Sequence, residues 1–177
     1  MADQEFEVIA KLRIRQAKIE DAQDLQTYCF PAQDLETVTQ SLTVDLEQAE
    51  SKDVVRLVAD ASGHAVGQIR IERKSSESTI GHLADLLVSS PFRVFGISGK
   101  LIEMADKVAY KNGLSRLQIE LPKSETAIIE AYERWGFTLH PVVILQKETN
   151  PYDLQVNYII TYCLLGVIYL KMFGFEN

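Results

Sequence analysis

The sequence predicts an α/β domain built around a mixed sheet, and three observations carry that reading. Three β-rich runs follow one another at residues 54–59, 65–72 and 80–88, the first two joined by the turn signal Ser62-Gly63. From residue 99 onward the pattern becomes helix, strand, helix, strand. Strands in succession followed by strand–helix–strand units argue for antiparallel and parallel pairing in one sheet. Composition is the third: 46% hydrophobic and 24% charged residues in a chain of 177 suit a globular protein of one domain, or one domain with an appendage.

The elements follow in order. Residues 1–10 read as a loose lead-in. Lys11–Arg15 alternates, with Leu12 and Ile14 on one face, and reads as a strand. Glu20 and Asp21 supply the acidic first turn of a helix that runs to Tyr28 and is broken by Pro31. From Asp34 to Ala49, Leu35, Val38, Leu42, Leu46 and Ala49 recur at three- and four-residue steps, the signature of a half-buried helix. Val54–Ala59 and Ala65–Glu72 form a hairpin, a serine-rich turn covers Arg73–Thr79, and Ile80–Val88 is the next strand. A helix from Gly99 to Lys111 stops at the C-cap signal Asn112-Gly113. Leu117–Leu121 alternates as a strand up to Pro122. Ser124 precedes a helix Glu125–Trp135 closed by Gly136, and Thr138–Gln146 is a further strand.

Beyond residue 148 the chain becomes an apolar tail. Residues 154–170 carry no charge, yet a spanning helix needs about 20 apolar residues, and Gln155, Asn157, Thr161 and Gly166 interrupt this run. Its tyrosines and β-branched residues favour a strand. A membrane anchor is therefore disfavoured, and packing against a second subunit is one use for the apolar surface. The net charge of -7 argues against a general nucleic-acid binder and suits a cationic or amine substrate, although solubility alone explains it as well. Cys29 and Cys163 form no metal-type spacing and read as reduced thiols. The acidic start Met-Ala-Asp-Gln-Glu-Phe-Glu has no apolar secretory core, so the expected compartment is the cytoplasm.

One stretch carries chemistry. The strand ending at Val88 is followed by Pro91, Arg93, Gly96, Ser98 and Gly99, and then by Leu101-Ile102-Glu103-Met104-Ala105 at helical spacing. A strand, a Gly-containing loop and a helix start make an anion site, because the first helical N–H groups lack partners inside the helix and share its positive end.

Arg93-x-x-Gly96-x-Ser98 resembles the pyrophosphate loop of the GNAT (GCN5-related N-acetyltransferase) family, whose pattern is Gln/Arg-x-x-Gly-x-Gly/Ala. Ala131-Tyr132-Glu133-Arg134-Trp135-Gly136-Phe137 is similar to that family's Tyr-Glu-Lys-x-Gly-Phe segment. Leu12-Arg13-Ile14-Arg15-Gln16-Ala17 with Glu20-Asp21-Ala22 looks like its first strand and helix. The likeness spans residues 11–147 and rests on the order of the motifs rather than on any one of them. It implies an α+β, mostly antiparallel central sheet of seven or so strands flanked by four or so helices. A seventh strand would fall at residues 156–164, and one domain would cover 11–177. The helical region between residues 20 and 50 would help form the wall for the acceptor substrate.

The resemblance further implies acetyl-CoA as co-substrate, with no metal, and a small-molecule amine or a protein amino group as acceptor. Cofactor contacts would come from the backbone of Leu86, Leu87 and Val88, from the loop Arg93, Val94, Phe95, Gly96, Ile97, Ser98, Gly99 and Lys100, and from Glu125. Tyr132 would protonate the leaving thiolate. The amine would lose its proton to Asp85 or His82, or to water with no dedicated base. On plain alternation, residues 82, 84, 86 and 88 share one face and Asp85 lies on the other, where a buried carboxylate would need a partner. This sequence departs from the family pattern at Val94 and Phe95, where glycine and a cation are usual, at Ser98 for the second glycine, at Glu125 for asparagine and at Ile128 for alanine.

Other schemes find little support. His64, His82 and His140 are scattered, and neither a Gly-x-Ser-x-Gly elbow nor a dinucleotide fingerprint is present. Two readings stay open: an N-acetyltransferase, and a binding or regulatory module on the same fold with a degraded cofactor loop, dimerising through its tail.

Overall fold

The computed structural model describes residues 11–141. The expected lead-in, the greater part of the strand expected at 138–146, and the tail lie outside these residues. The chain through Phe137 forms one compact unit, and residues from Thr138 belong to a second, of which 138–141 contain no strand.

Five strands form one sheet in chain order: β1 (Leu12–Gln16), β2 (Val54–Ala61), β3 (His64–Glu72), β4 (Ile80–Val88) and β5 (Arg116–Gln118). The pairs are antiparallel except β4 with β5, which is parallel. The mixed, mostly antiparallel sheet is therefore as expected, with five strands among the described residues rather than seven. Helices α1 (Ala22–Tyr28) and α2 (Leu35–Ala49) precede the β2–β3 hairpin, α3 (Ile97–Lys111) links β4 to β5, and α4 (Thr126–Arg134) follows. Helix α1 is entered through a 3-10 turn at Ile19–Asp21, which takes up the start of the helix expected from Glu20. Asp34 caps α2 by accepting the Thr37 N–H at 2.7 Å.

The hairpin forms because Ser62 and Gly63 both have positive φ (53° and 100°), the two-residue turn whose twist matches its strands. Strand β2 is buried along its whole length, which places it at the centre of the layers. On one sheet face Leu25, Val38 and Leu42 pack on Val58 and Ala65. On the other, Ile97, Leu101 and Ala105 of α3 pack on Leu57, Ile69, Ile71 and Leu83, and Tyr132 of α4 joins them. The apolar stripe read from α2 is thus the buried one at Val38 and Leu42, whereas Leu35 at its start is exposed.

Strand β4 departs from simple alternation. Its register with β3 runs His82↔Glu72, Leu83↔Ile71 and Ala84↔Arg70, then resumes at Leu87↔Gln68 and Val88↔Gly67. Asp85 and Leu86 together therefore face the single residue between Gln68 and Arg70, which is a β-bulge. Asp85 takes φ 52°, a left-handed conformation that aspartate tolerates better than most residues. The bulge shifts the phase by one, so His82 and Ala84 share a face with Leu87, and Leu83 shares one with Val88. This corrects the assignment of 82, 84, 86 and 88 to one face. Asp85 is also exposed, so the partner that a buried carboxylate would require is not needed.

Two ion-pair groups lock the layers. Asp60 of β2 is almost wholly buried and accepts from Arg13 Nη2 at 2.9 Å, Arg15 Nε at 2.8 Å and the Gly63 N–H at 2.8 Å. Arg15 also holds both oxygens of Asp21 at 2.7 Å, tying β1 to the start of α1. Further along the same face, Asp45 of α2 accepts from Arg56 of β2 and Arg70 of β3 at 2.7 and 3.0 Å. Removing one partner of such a group leaves a buried charge uncompensated.

Helix α4 meets α3 at Gly99, where a Cβ would lie 3.1 Å from the indole nitrogen of Trp135. The aromatic rings of Tyr132, Trp135 and Phe137 then stack edge-on, with Tyr132 centroid distances of 5.2 Å to each of the others.

Two outcomes follow from these contacts. Burial alone pushes the Asp60 carboxyl up, but bonds from Arg15, Gly63 and Arg13 outweigh it and bring it down to about 2. An unfolded aspartate titrates near ~3.9. The folded value is the lower, so the Asp60 contribution is complete above that pH and fades as pH falls toward the folded value. Denaturant melts of the wild type and Asp60→Asn at successive pH values will show a stability gap that narrows over this acidic window; a gap independent of pH contradicts the assignment. Second, Gly99→Ala will displace Trp135, the only tryptophan in the chain. Its fluorescence emission will shift while the far-ultraviolet circular dichroism stays unchanged, and an unmoved emission rules out the contact.

Candidate active site

The parallel ladder between β4 and β5 covers only Ile80–His82 against Arg116–Gln118. From Leu83 to Val88 the edge of β4 that faces β5 has no strand partner among the described residues. The strand expected at Leu117–Leu121 runs instead from Arg116 to Gln118, where its pairing with β4 ends. Ile119 and Leu121 still pack on the core without joining the ladder. Backbone N–H and C=O groups that leave a ladder at a partly buried strand end are available to an extended polar ligand.

The open edge runs into the loop singled out by sequence. Residues Ser90–Phe95 form a 3-10 turn, Gly96 adopts φ 68°, and α3 begins at Ile97. The helix therefore starts two residues before the position expected, and Ser98, Gly99 and Lys100 lie in its first turn. The Lys100 N–H already bonds to the Gly96 carbonyl at 3.3 Å, which leaves Ile97, Ser98 and Gly99 as the helix's unbonded first-turn donors. No acidic side chain lies in this first turn. A Cβ at Gly96 would meet no heavy atom within 4 Å, so the turn that precedes these donors is open on that side.

Side chains around the loop take positions that the sequence did not disclose. Val94 and Phe95 are 84% and 68% exposed, so the bulky pair points into solvent and does not plug the loop. Arg93 Nε donates to the Val88 carbonyl at 3.0 Å and thus staples the turn to the end of β4. Lys100 is engaged by Glu103 at 2.9 Å, which Lys107 also holds at 2.7 Å. Gly99, expected as one of the loop's cofactor contacts, lacks a side chain where Trp135 packs. Glu125 is the exposed N-cap of α4, with its carbonyl bonded to the N–H of Ile129 at 2.9 Å.

Tyr132 lies in the apolar cluster that also receives Leu86 and Phe92, so the structure brings it to the α3 side of the open strand. Burial pushes its hydroxyl up to about 12. The phenol keeps its proton through the neutral range and can donate to an atom beside it. His82 lies on the opposite face, across from Glu72 on β3 and beside Gln118 on β5. The two candidate bases are thus separated: Asp85 stands exposed on the bulge, and His82 lies on the α2 side. Cys29 offers no nucleophile, since burial pushes its thiol up to about 12 against a smaller opposing effect of Arg56.

Sequence reasoning missed two residues here. By sequence Trp135 is the end of α4 and a variable position of the family-like segment, with no contact assigned to it, although its indole packs on the neighbouring helix at Gly99. Gln68 was read as a member of a strand, although a glutamine among Val66, Ile69 and Ile71 signals a buried polar contact. A hollow of about 430 Å³ lined by Asp53, Glu72, Arg73 and Lys74 lies at the other end of β3, and its mixed charges select neither anion nor cation.

No helix among the described residues is long and apolar enough to cross a membrane. The overall arrangement matches solved structures at low identity, which establishes the fold. An aminoglycoside N-acetyltransferase AAC(6')-Iy in complex with CoA superposes with a TM-score of 0.66 at 16% identity, covering 80% of this chain and 97% of that one. Glucosamine-6-phosphate N-acetyltransferase from Arabidopsis thaliana gives 0.60 at 15% identity, covering 77% and 98%. The PaiA N-acetyltransferase from Thermoplasma acidophilum in complex with coenzyme A gives 0.61 at 17%, covering 75% and 93%. The sequence profile described as "Acetyltransferase (GNAT) family" matches residues 19–137, from the turn before α1 to the end of the motif after α4, and the chain belongs to that family.

Proposed function

We propose that this protein is an N-acetyltransferase that moves an acetyl group from acetyl-CoA to a primary amine by direct attack of the amine on the thioester. One observation carries the reading: among the described residues the edge of β4 has no strand partner from Leu83 to Val88, and it leads straight into an open glycine turn and the bare first turn of α3. The CoA complexes of the structural neighbours support it.

In this reading Leu86, Leu87 and Val88 hold the pantetheine arm through their backbone, and the N–H groups of Ile97, Ser98 and Gly99 take the diphosphate. The helix dipole and an acid-free first turn favour the negative charge. Arg93 acts on the strand end, by its bond to the Val88 carbonyl, rather than as a cation reserved for phosphate. Acetyl-CoA supplies the activated acyl group. The amine nitrogen forms a bond to the carbonyl carbon, the carbon–sulfur bond breaks, and the proton lost by nitrogen balances the one gained by sulfur. Tyr132 donates to the sulfur as charge develops there. A phenol near 12 is a weaker acid than a thiol near ~8.5, so its contribution is a hydrogen bond that strengthens as the bond breaks, followed by proton exchange. Asp85 on the exposed bulge attracts the ammonium form of the acceptor, and it or His82 removes the proton, directly or through water. The acceptor is a small-molecule amine or a protein amino group.

A binding module without catalysis is the second reading, favoured by Val94 and Phe95 in the loop and by Glu125 and Ile128 on α4. Calorimetric titration with CoA separates the two. Micromolar affinity is the expected result, and no binding at millimolar CoA defeats the transferase reading. Gly96→Trp will abolish that binding, because a side chain at positive φ strains the turn and fills the space in front of the α3 donors; unchanged affinity in this variant disproves the placement. Tyr132→Phe will slow turnover about a hundredfold with CoA affinity nearly unaltered. Equal turnover, measured by thiol release over a panel of amines, would remove Tyr132 from its role.

A further inference from the structure

A buried polar chain connects α2 to the bulge of β4. Gln68 on β3 is fully buried. Its carboxamide oxygen accepts from Arg56 Nη1 at 3.0 Å, and its Nε2 donates to the main-chain carbonyl of Asp85 at 3.4 Å. Arg56 donates in turn to Asp45 at 2.7 Å and to Ser41 Oγ at 3.2 Å, both on α2. Asp45 is pinned from the other side by Arg70 at 3.0 Å, and Arg70 also bonds Glu72 at 2.8 Å.

The chemistry at Gln68 is directional. A guanidinium only donates and a carbonyl only accepts, so the carboxamide fits between them in one orientation. An ionised glutamate in its place accepts from Arg56 and has nothing to donate to Asp85. An apolar side chain of equal length does neither. The carbonyl it holds belongs to the one residue of β4 in left-handed conformation, at the point where the phase of the strand changes. Holding that peptide fixes which way the N–H and C=O groups of the next three residues point.

We propose that Gln68 is a positioning residue. It sets the bulge at Asp85, and thereby aims the backbone of Leu86–Val88 at the pantetheine arm, while Arg56 and Asp45 anchor that setting to α2. The assignment rests on the reading of this strand end as the cofactor's seat.

The test compares the wild type with Gln68→Glu and Gln68→Met, by amide hydrogen exchange without ligand and by CoA titration. In Gln68→Glu the amides of residues 85–88 will exchange about tenfold faster, while those of the β1–β2 pair keep their rates. CoA affinity will fall by about tenfold with the thermal midpoint within a few degrees of wild type. Gln68→Met will show the same local change, and it decides the matter should a glutamate here prevent folding. Unchanged exchange at 85–88 in a folded variant overturns the proposal. So does faster exchange with unaltered CoA affinity, since the bulge would then be irrelevant to the cofactor. A wild type that fails to bind CoA at all overturns the transferase reading instead, and the exchange data then still report whether Gln68 holds the bulge.

Discussion

Strand β4 stays hydrogen-bonded to β3 as far as Val88 yet leaves β5 after His82, and the extra residue at Asp85–Leu86 is what lets both be true. A regular strand would carry its twist evenly, and its two neighbours would follow it. A bulge concentrates the twist at one point and redirects the strand beyond it. Among the described residues one edge of β4 is then left without a strand partner, next to a helix start with donors to spare. Backbone groups in such a place are unstable unless water or a ligand satisfies them. The same local defect therefore shapes the slot, separates the candidate bases and brings Leu86 into the cluster that holds Tyr132.

The two faces of the sheet do different work. The α3 face is almost wholly apolar, from Val55 to Ala109, and gives Tyr132 the dry surroundings that hold its proton on. The α2 face is mixed: Leu42 and Val58 lie beside a carboxylate shared by two guanidinium groups. Such a cluster is a poor source of stability, because desolvation offsets most of the attraction. Its value lies in direction. Its donors and acceptors meet only at fixed distances and angles, whereas an apolar contact tolerates sliding. A polar chain is the suitable means of holding a single carbonyl in an unusual conformation.

Elements with a local code were legible in the sequence. Val38 and Leu42 at helical spacing, the Ser62-Gly63 turn, the Asn112-Gly113 stop and the order of the motifs each depend on near neighbours, and each is where periodicity put it. The bulge was not legible, because it is set by contacts from a different strand. Asp85 is neither glycine nor asparagine, and nothing in Leu83-Ala84-Asp85-Leu86-Leu87 distinguishes a bulged strand from a regular one. Reading that strand by strict alternation misplaced Leu86 and Val88 and gave Asp85 a burial it does not have. Strand β5 was overextended for a related reason: Ile119 and Leu121 are apolar because they face the core, not because they are paired. At the site, the loop, the tyrosine and the helix start were visible as types of residue. What Arg93, Gly99 and Gln68 touch was not, because those contacts close between elements distant in sequence.

Val94 and Phe95 show how composition and placement diverge. By type they are wrong for a phosphate loop, being bulky where glycine is usual and neutral where a cation is. Their exposure removes the steric objection, since both side chains stand in solvent and the space beside Gly96 is clear. The electrostatic objection is smaller than it looks. Arg93 is fixed to the Val88 carbonyl, and Lys100 is paired with Glu103, which Lys107 shares, so under the proposed reading an anion meets oriented N–H groups and a helix dipole more than mobile cations. Oriented backbone donors need no reorganisation to receive a diphosphate, and a main-chain anion site of this kind tolerates variation in the side chains around it, provided that the turn keeps its glycine.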